Sequence, residues 1–186
     1  MENIPVKLIL FIIATCWLLY VSRKSLRVTT SHGFYRFFSW ESILMLLLIN
    51  MPAWFSNPFS VQQIASWLFL IGSLVLLGKG IHQLRSSVKS SDKRQDETLY
   101  TFEKTTTLVT SGIYHYIRHP LYASLLYLAW GIFLKDITWS SVCLIVVGTI
   151  SLVATAKKDE VECICFFGPI YRDYMVETKM FVPFLF

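Results

Sequence analysis

The sequence predicts an all-α integral membrane protein with about five transmembrane helices. Three observations carry that expectation. The composition is oily, with 54% hydrophobic and 16% charged residues among 186, where soluble domains carry roughly 25% charge. Five apolar runs approach or reach the roughly 20 residues of helix that a bilayer takes. Lys and Arg fall in alternate loops, the pattern that fixes sidedness in membrane proteins.

The first run, 4–21, is long enough to span. Glu2, a late Lys7 and no small-residue cleavage site set it apart from a signal peptide, so it is expected to be retained. Residues 22–39 mix Arg23, Lys24, Arg27, His32 and Arg36 with Phe34, Tyr35, Phe37 and Phe38. That alternation suits an interfacial segment or a solvated loop with aromatic anchors. The second run, 40–55, is short and carries Glu41 and Asn50 near its ends. Ser56-Asn57-Pro58 is a turn signal, and 61–81 is the longest run. These two runs form a hairpin whose tight turn has no Lys or Arg. Gly72, Gly78 and Gly80 would let helices approach closely. Gly78-Lys79-Gly80 is not a phosphate loop, because it lies inside a helical run. The polar stretch 83–104 reads as a water-exposed extension of the third helix followed by a mobile linker.

The fourth run starts at Pro120, ends at Lys135 and would be about 24 Å long at 1.5 Å per residue. So short a span draws its amino end toward headgroup depth. A turn at Asp136 leads to the fifth run, 139–156. Lys157-Lys158-Asp159-Glu160 opens a tail with an amphipathic helix to about Phe166, ended by Gly168-Pro169. The oily end, 180–186, is expected to pack on the bundle or the lipid. The basic residues place the amino end outside. The first loop, the segment 106–122 and the tail then share the cytoplasmic face. The net charge of +5 marks those loops rather than a nucleic-acid surface. The four cysteines form neither a CxxC pair nor a disulfide framework.

The polar centre of the chain is TTLVTSGIYHYIRHPLY, residues 106–122. Gly112 supplies a turn, and Pro120 biases His119 away from helix while suiting the first turn of the next one. Tyr114, His115, Tyr116, Arg118 and His119 are thereby delivered to the mouth of an apolar helix. His119 and Glu160 bracket the hairpin of runs four and five, so both belong at one end of it. A pocket with Tyr114, His115, Arg118, His119, Asp159 and Glu160 can take a charged or zwitterionic small molecule, since ionisable groups at membrane depth must be paired or functional. Arg118 could also pair with Asp159 or Glu160 for structure alone. His115 and His119 are four apart, but Gly112 and Pro120 break the helix that a metal pair would need, and no third ligand is evident, so no metal is expected. Bottom-up reading stops at a small membrane protein with a cytoplasmic-side polar site.

Two words take it further. Residues 108–122 contain Gly112-Ile113-Tyr114 and Arg118-His119-Pro120-Leu121-Tyr122. Residues 159–186 contain Asp159-Glu160, Phe167-Gly168, Tyr171 with Tyr174, and Pro183. Together, at this separation, they resemble the isoprenylcysteine carboxyl methyltransferase family. The chain departs from that pattern in having Asp159 where Glu is usual and Thr155 where animal and fungal members place a basic residue. The resemblance implies one methyltransferase domain over 1–186, with spans one to three and the linker in 1–105 and the catalytic half in 106–186. It implies S-adenosylmethionine as cofactor, in contact with Thr106, Thr107, Leu108, Val109, Gly112, Tyr114, His115, His119, Pro120, Leu121, Tyr122 and Glu160. Arg118, His119 and Glu160 would be catalytic, and Arg118 with Arg172 would hold the acceptor. That acceptor would be the α-carboxylate of a prenylated cysteine whose tail stays in the bilayer among lipid. Phospholipid N-methyltransferases share the Arg-His-Pro word and are the alternative. A non-enzymatic lipid-binding or scaffold protein is the alternative of another class.

Overall fold

The computed structural model describes residues 4–87 and 107–183. Thr106 and the expected linker 88–104 lie outside the described residues. Among the described residues six α-helices follow in order: α1 (Ile4–Leu26), α2 (His32–Asn50), α3 (Val61–Ser87), α4 (Pro120–Phe133), α5 (Trp139–Phe167) and α6 (Pro169–Glu177). Short 3₁₀ turns occupy Met51–Ala53 and Gly112–His115. Among the described residues the only β-type pairing is an isolated parallel bridge between Ile117 and Lys179.

Three helices, α1, α3 and α5, are long and apolar enough to cross a membrane. The sequence anticipates five spans. The other two are α2 and α4, which fall short by polarity or length but cross the same bundle. Helix α2 runs antiparallel to α5: its first residue, His32, meets Glu162, and its last, Asn50, reaches the carbonyl of Asp136. Helix α4 has 14 residues, about 21 Å at 1.5 Å per residue. Leu46, Leu70, Ala129, Ile132, Phe133 and Ile145 form the core among α2, α3, α4 and α5. Helix α1 lies outside, with Ile4, Ile13, Trp17 and Tyr20 exposed. Such a surface is stable only against lipid or a partner.

Three sequence expectations are corrected. Residues 22–39 are not a loop: α1 continues to Leu26 and α2 begins at His32. Ser31 takes the extended N-cap conformation, and the carboxylate of Glu162, distant in sequence, accepts the free N–H of His32. A helix amino end needs such an acceptor, and here it comes from another helix, so local sequence does not announce it. The helix expected to end at Gly168-Pro169 does end there, with Gly168 turning the chain at φ +67°, but it is not a separate element: α5 runs unbroken from the apolar span through Asp159 and Glu160 to Phe167. A further helix, α6, follows at Pro169, where proline suits the first turn. Of the three α3 glycines, Gly72 packs against Tyr127 and Gly80 against Leu121 and Pro120, but Gly78 faces open space.

The end of the bundle away from α6 is locked by polar contacts. Asn50 Nδ2 donates to the carbonyls of Ile132 (2.8 Å) and Asp136 (3.2 Å), and Ser66 Oγ donates to that of Gly131 (2.7 Å). Lys135 is buried with Nζ 3.0 Å from Gln63 Oε1 and 3.7 Å from the centroid of the Trp67 ring. Cation–π contact and a hydrogen bond together make a buried ammonium tolerable.

Candidate active site

The site is built where the carboxyl tail returns. Residues 116–119 run beside 179–180: Lys179 N donates to Tyr116 O, Arg118 N to Lys179 O, and His119 N to Met180 O. Ile117, Tyr122, Leu152, Met180 and Phe181 pack beneath in one buried cluster. The oily tail thus packs on the bundle as far as it is described. This strap fixes Arg118 and His119 in irregular backbone, which is stable at membrane depth only where protein covers it. Gly112 has φ +64°, a conformation costly for other residues, and Gln83 Nε2 reaches Ser111 Oγ at 2.6 Å beside it. So α3 and the 3₁₀ turn are joined at this end.

Pro120 starts α4, and His119 stands at its N-cap with its ring stacked on Tyr122 at 5.4 Å. Its Nδ1 lies 3.4 Å from Asp159 Oδ2 and its Nε2 3.4 Å from Glu160 Oε1. Burial disfavours the imidazolium, but hydrogen bonding and charge from the two carboxylates outweigh it and raise the His119 pKa. Arg118 Nε lies 2.8 Å from Glu160 Oε1. Its Nη1 donates to Met175 O at 3.1 Å and also to Thr178 O. Tyr174 donates its hydroxyl to Tyr114 O at 2.5 Å, and Thr178 Oγ1 donates to Tyr174 O. Helix α6 therefore clamps the 3₁₀ turn from the side opposite α3.

These groups wall a cleft whose space, mouth included, is about 720 Å³. Leu84, Leu108, Val109, Tyr114, Pro120 and Leu121 supply one side, and Cys163, Phe167, Tyr171 and Tyr174 the other. Arg118, His119, Tyr122 and Asp159 lie between them.

Of the residues the sequence singles out, Leu108, Val109, Tyr114, Arg118, His119, Pro120, Leu121 and Tyr122 line this cleft, and Glu160 joins it through Arg118 and His119. Thr107, Gly112, His115 and Arg172 are exposed and do not line it. His115 turns to Tyr116 instead, with ring centroids 4.9 Å apart. Arg172 occupies the outer face of α6, whose inner face carries Tyr171 and Tyr174. Sequence reasoning missed Leu84, Cys163 and Phe167 as wall residues. The helical spacing of Asp159, Cys163 and Phe167 in steps of four was the available signal. It also missed His32, which meets Asp159 and Glu162 with one donor atom of each within 4.8 Å of the others.

A cationic, partly aromatic ligand suits these walls. Apolar and aromatic surface faces Asp159, and the buried Nε2 of His119 has only the loose approach of Glu160 Oε1 at 3.4 Å among the described residues. The S-adenosylmethionine sulfonium and adenine match that donor set.

A multi-helix membrane protein with a polar cleft at one end is the class that fold and site define. The family model described as phospholipid methyltransferase matches residues 67–164, just over half of the chain, and the chain belongs to that family. No match is found among curated proteins or among solved structures. Family membership makes it a membrane methyltransferase, of a kind that typically uses S-adenosylmethionine.

Proposed function

We propose that this protein transfers a methyl group from S-adenosylmethionine to the α-carboxylate of an isoprenylated cysteine, giving a methyl ester. One observation carries the choice of acceptor: every carboxylate beside His119 already holds a cation. Glu160 is bound by Arg118 and His119, and Asp159 by His119. The two carboxylates favour the imidazolium form of His119, which has no lone pair with which to take a further proton. An ammonium acceptor must lose a proton before it can attack, whereas a carboxylate arrives ionised at neutral pH and needs no general base.

The bound cofactor supplies an electrophilic methyl on a positively charged sulfur. The chain supplies the rest. Asp159, the carboxylate that lines the cleft, faces the cation, and the aliphatic wall of Leu84, Leu108, Val109 and Leu121 excludes water. Charge is neutralised as methyl transfer proceeds, so a dry, aligned site favours it. Arg118 has three of its five N–H groups committed to Glu160, Met175 and Thr178. The remaining pair on Nη2 is assigned to the acceptor carboxylate. Arg172 lies too far out on α6 to share that task. The cleft faces the cytoplasm, while the prenyl chain remains in lipid.

Methyl transfer from radiolabelled cofactor in the presence of a farnesylated cysteine tests this reading. The expected product releases its label on mild alkaline treatment, as an ester does. A base-stable labelled lipid amine would establish the second reading, a phospholipid N-methyltransferase, which the family's description favours.

A further inference from the structure

The family match begins at residue 67, so nothing in it assigns a role to α2. Yet the first residue of α2 comes up behind Asp159, a wall residue of the cleft. His32 is fully buried. Its backbone N–H donates to Glu162 Oε1 at 2.9 Å, and its Nδ1 lies 2.7 Å from Glu162 Oε2. Both oxygens of one carboxylate are thus spent on one residue, fixing the ring as well as capping the helix.

Glu162 stands three residues beyond Asp159 on α5, on the same face of the helix. His32, Asp159 and Glu162 each present a donor atom within 4.8 Å of the other two. Asp159 in turn lies 3.4 Å from His119. A line of alternating basic and acidic groups therefore crosses from α2 to the strap: Glu162, His32, Asp159, His119, Glu160, Arg118. The charged groups facing His32 are Glu162 and Asp159 from α5 and Arg36 from its own helix. A metal ion is the less economical reading of the trio. Two ligands on one tetrahedral metal stand about 3.4 Å apart, given bond lengths near 2.1 Å. The 2.7 Å separation of Nδ1 and Oε2 is that of a shared proton.

We propose that His32 tunes the methyl-transfer site: held by Glu162, it stands as a basic group beside Asp159 and tempers the negative charge that His119 feels. The inference rests on reading the cleft as the cofactor site, and its test separates the two.

The chain has four histidines, few enough for side-chain NMR of the full-length protein in nanodiscs. Titration of His119 and calorimetric binding of S-adenosylmethionine are measured in wild type, His32→Gln and Asp159→Asn. Removing a basic neighbour of Asp159 leaves more negative charge on His119. His32→Gln should therefore raise the His119 midpoint, by about threefold in proton affinity. Asp159→Asn should lower the midpoint, since it removes a carboxylate 3.4 Å from the ring. Binding of the cationic cofactor should weaken about fivefold in Asp159→Asn and should not weaken in His32→Gln. A His119 midpoint that stays put or falls in His32→Gln overturns the inference. Should wild type bind no S-adenosylmethionine while the His119 shift appears, the cofactor reading falls and the coupling stands.

Discussion

The Nε of Arg118 lies 2.8 Å from Oε1 of Glu160, and the two side chains are about 10% exposed. The pair joins the strap before α4 to the far end of α5, and the same guanidinium holds two carbonyls at the end of α6. Three pieces of chain are thus tied by one side chain. Removing one partner of a buried pair leaves an uncompensated charge, which costs about 3–5 kcal/mol. Arg118→Ala should lower stability by about that much, and Arg118→Ala/Glu160→Gln should recover part of it. Arg118→Lys should rescue poorly, because an ammonium lacks the planar fork. Thermal unfolding followed by circular dichroism in detergent measures all three. Equal stability of Arg118→Ala and wild type would mean that the pair does not hold these segments together.

His119 gives the site a pH dependence with a definite sign. Its pKa is raised in the folded protein above an ordinary value of 6.5, because Asp159 and Glu160 outweigh the effect of burial. The folded state therefore binds the proton more tightly than the unfolded state. The resulting stability is fully present below about pH 6.5 and is lost as pH rises through the raised value. Wild type should lose stability as pH rises above about 6.5, and His119→Gln should flatten that slope. Denaturant unfolding at pH 6, 7, 8 and 9 provides the comparison. A slope unchanged in His119→Gln would assign it elsewhere.

Much of this site is legible in the residues. Gly112 and Pro120 announce the irregular backbone, and Asp159-Glu160 lie at the end of the hairpin that begins at His119, so their meeting follows from helix counting. The alternative use of Arg118, as a partner of Glu160, is equally open from sequence, and the geometry adopts it. What escapes sequence is set by partners distant along the chain. The start of α2 depends on Glu162, 130 residues away. The pairing of 116–119 with 179–180 carries no strand-like alternation to announce it. His115 and Arg172 fail to reach the cleft because the 3₁₀ turn and α6 point their other faces inward, a rotational detail that residue spacing alone leaves open.

At the opposite end of the bundle, Asn50 is fully buried and donates to the carbonyls of Ile132 and Asp136, which also accept from Lys135 N and Ser141 Oγ. Its loss removes these buried hydrogen bonds and leaves a gap, at about 1 kcal/mol or more. Asn50→Ala should lower the unfolding temperature by several degrees. Because no residue there touches the cleft, S-adenosylmethionine affinity should stay within about twofold of wild type. Calorimetry alongside a melting curve separates the two effects. A large loss of affinity would show that the two ends of the bundle are mechanically coupled.

Tyr174 offers the complementary case, a wall residue whose hydroxyl holds backbone. Its O–H donates to Tyr114 O at 2.5 Å, so α6 sets the height of the 3₁₀ turn. Tyr174→Phe keeps the ring in the wall but frees that carbonyl, a change of about 1 kcal/mol in stability for one neutral hydrogen bond. Cofactor affinity should fall more than stability, because Leu108, Val109 and Tyr114 ride on the turn. Burial pushes the Tyr174 phenol well above its ordinary range, so it remains a donor throughout the pH interval in which His119 gives up its proton. The alkaline fall in stability should therefore persist in Tyr174→Phe and vanish only in His119→Gln. Unfolding of both variants across the same pH series decides it. Loss of the alkaline slope in Tyr174→Phe would move the titrating group from His119 to the α6 clamp.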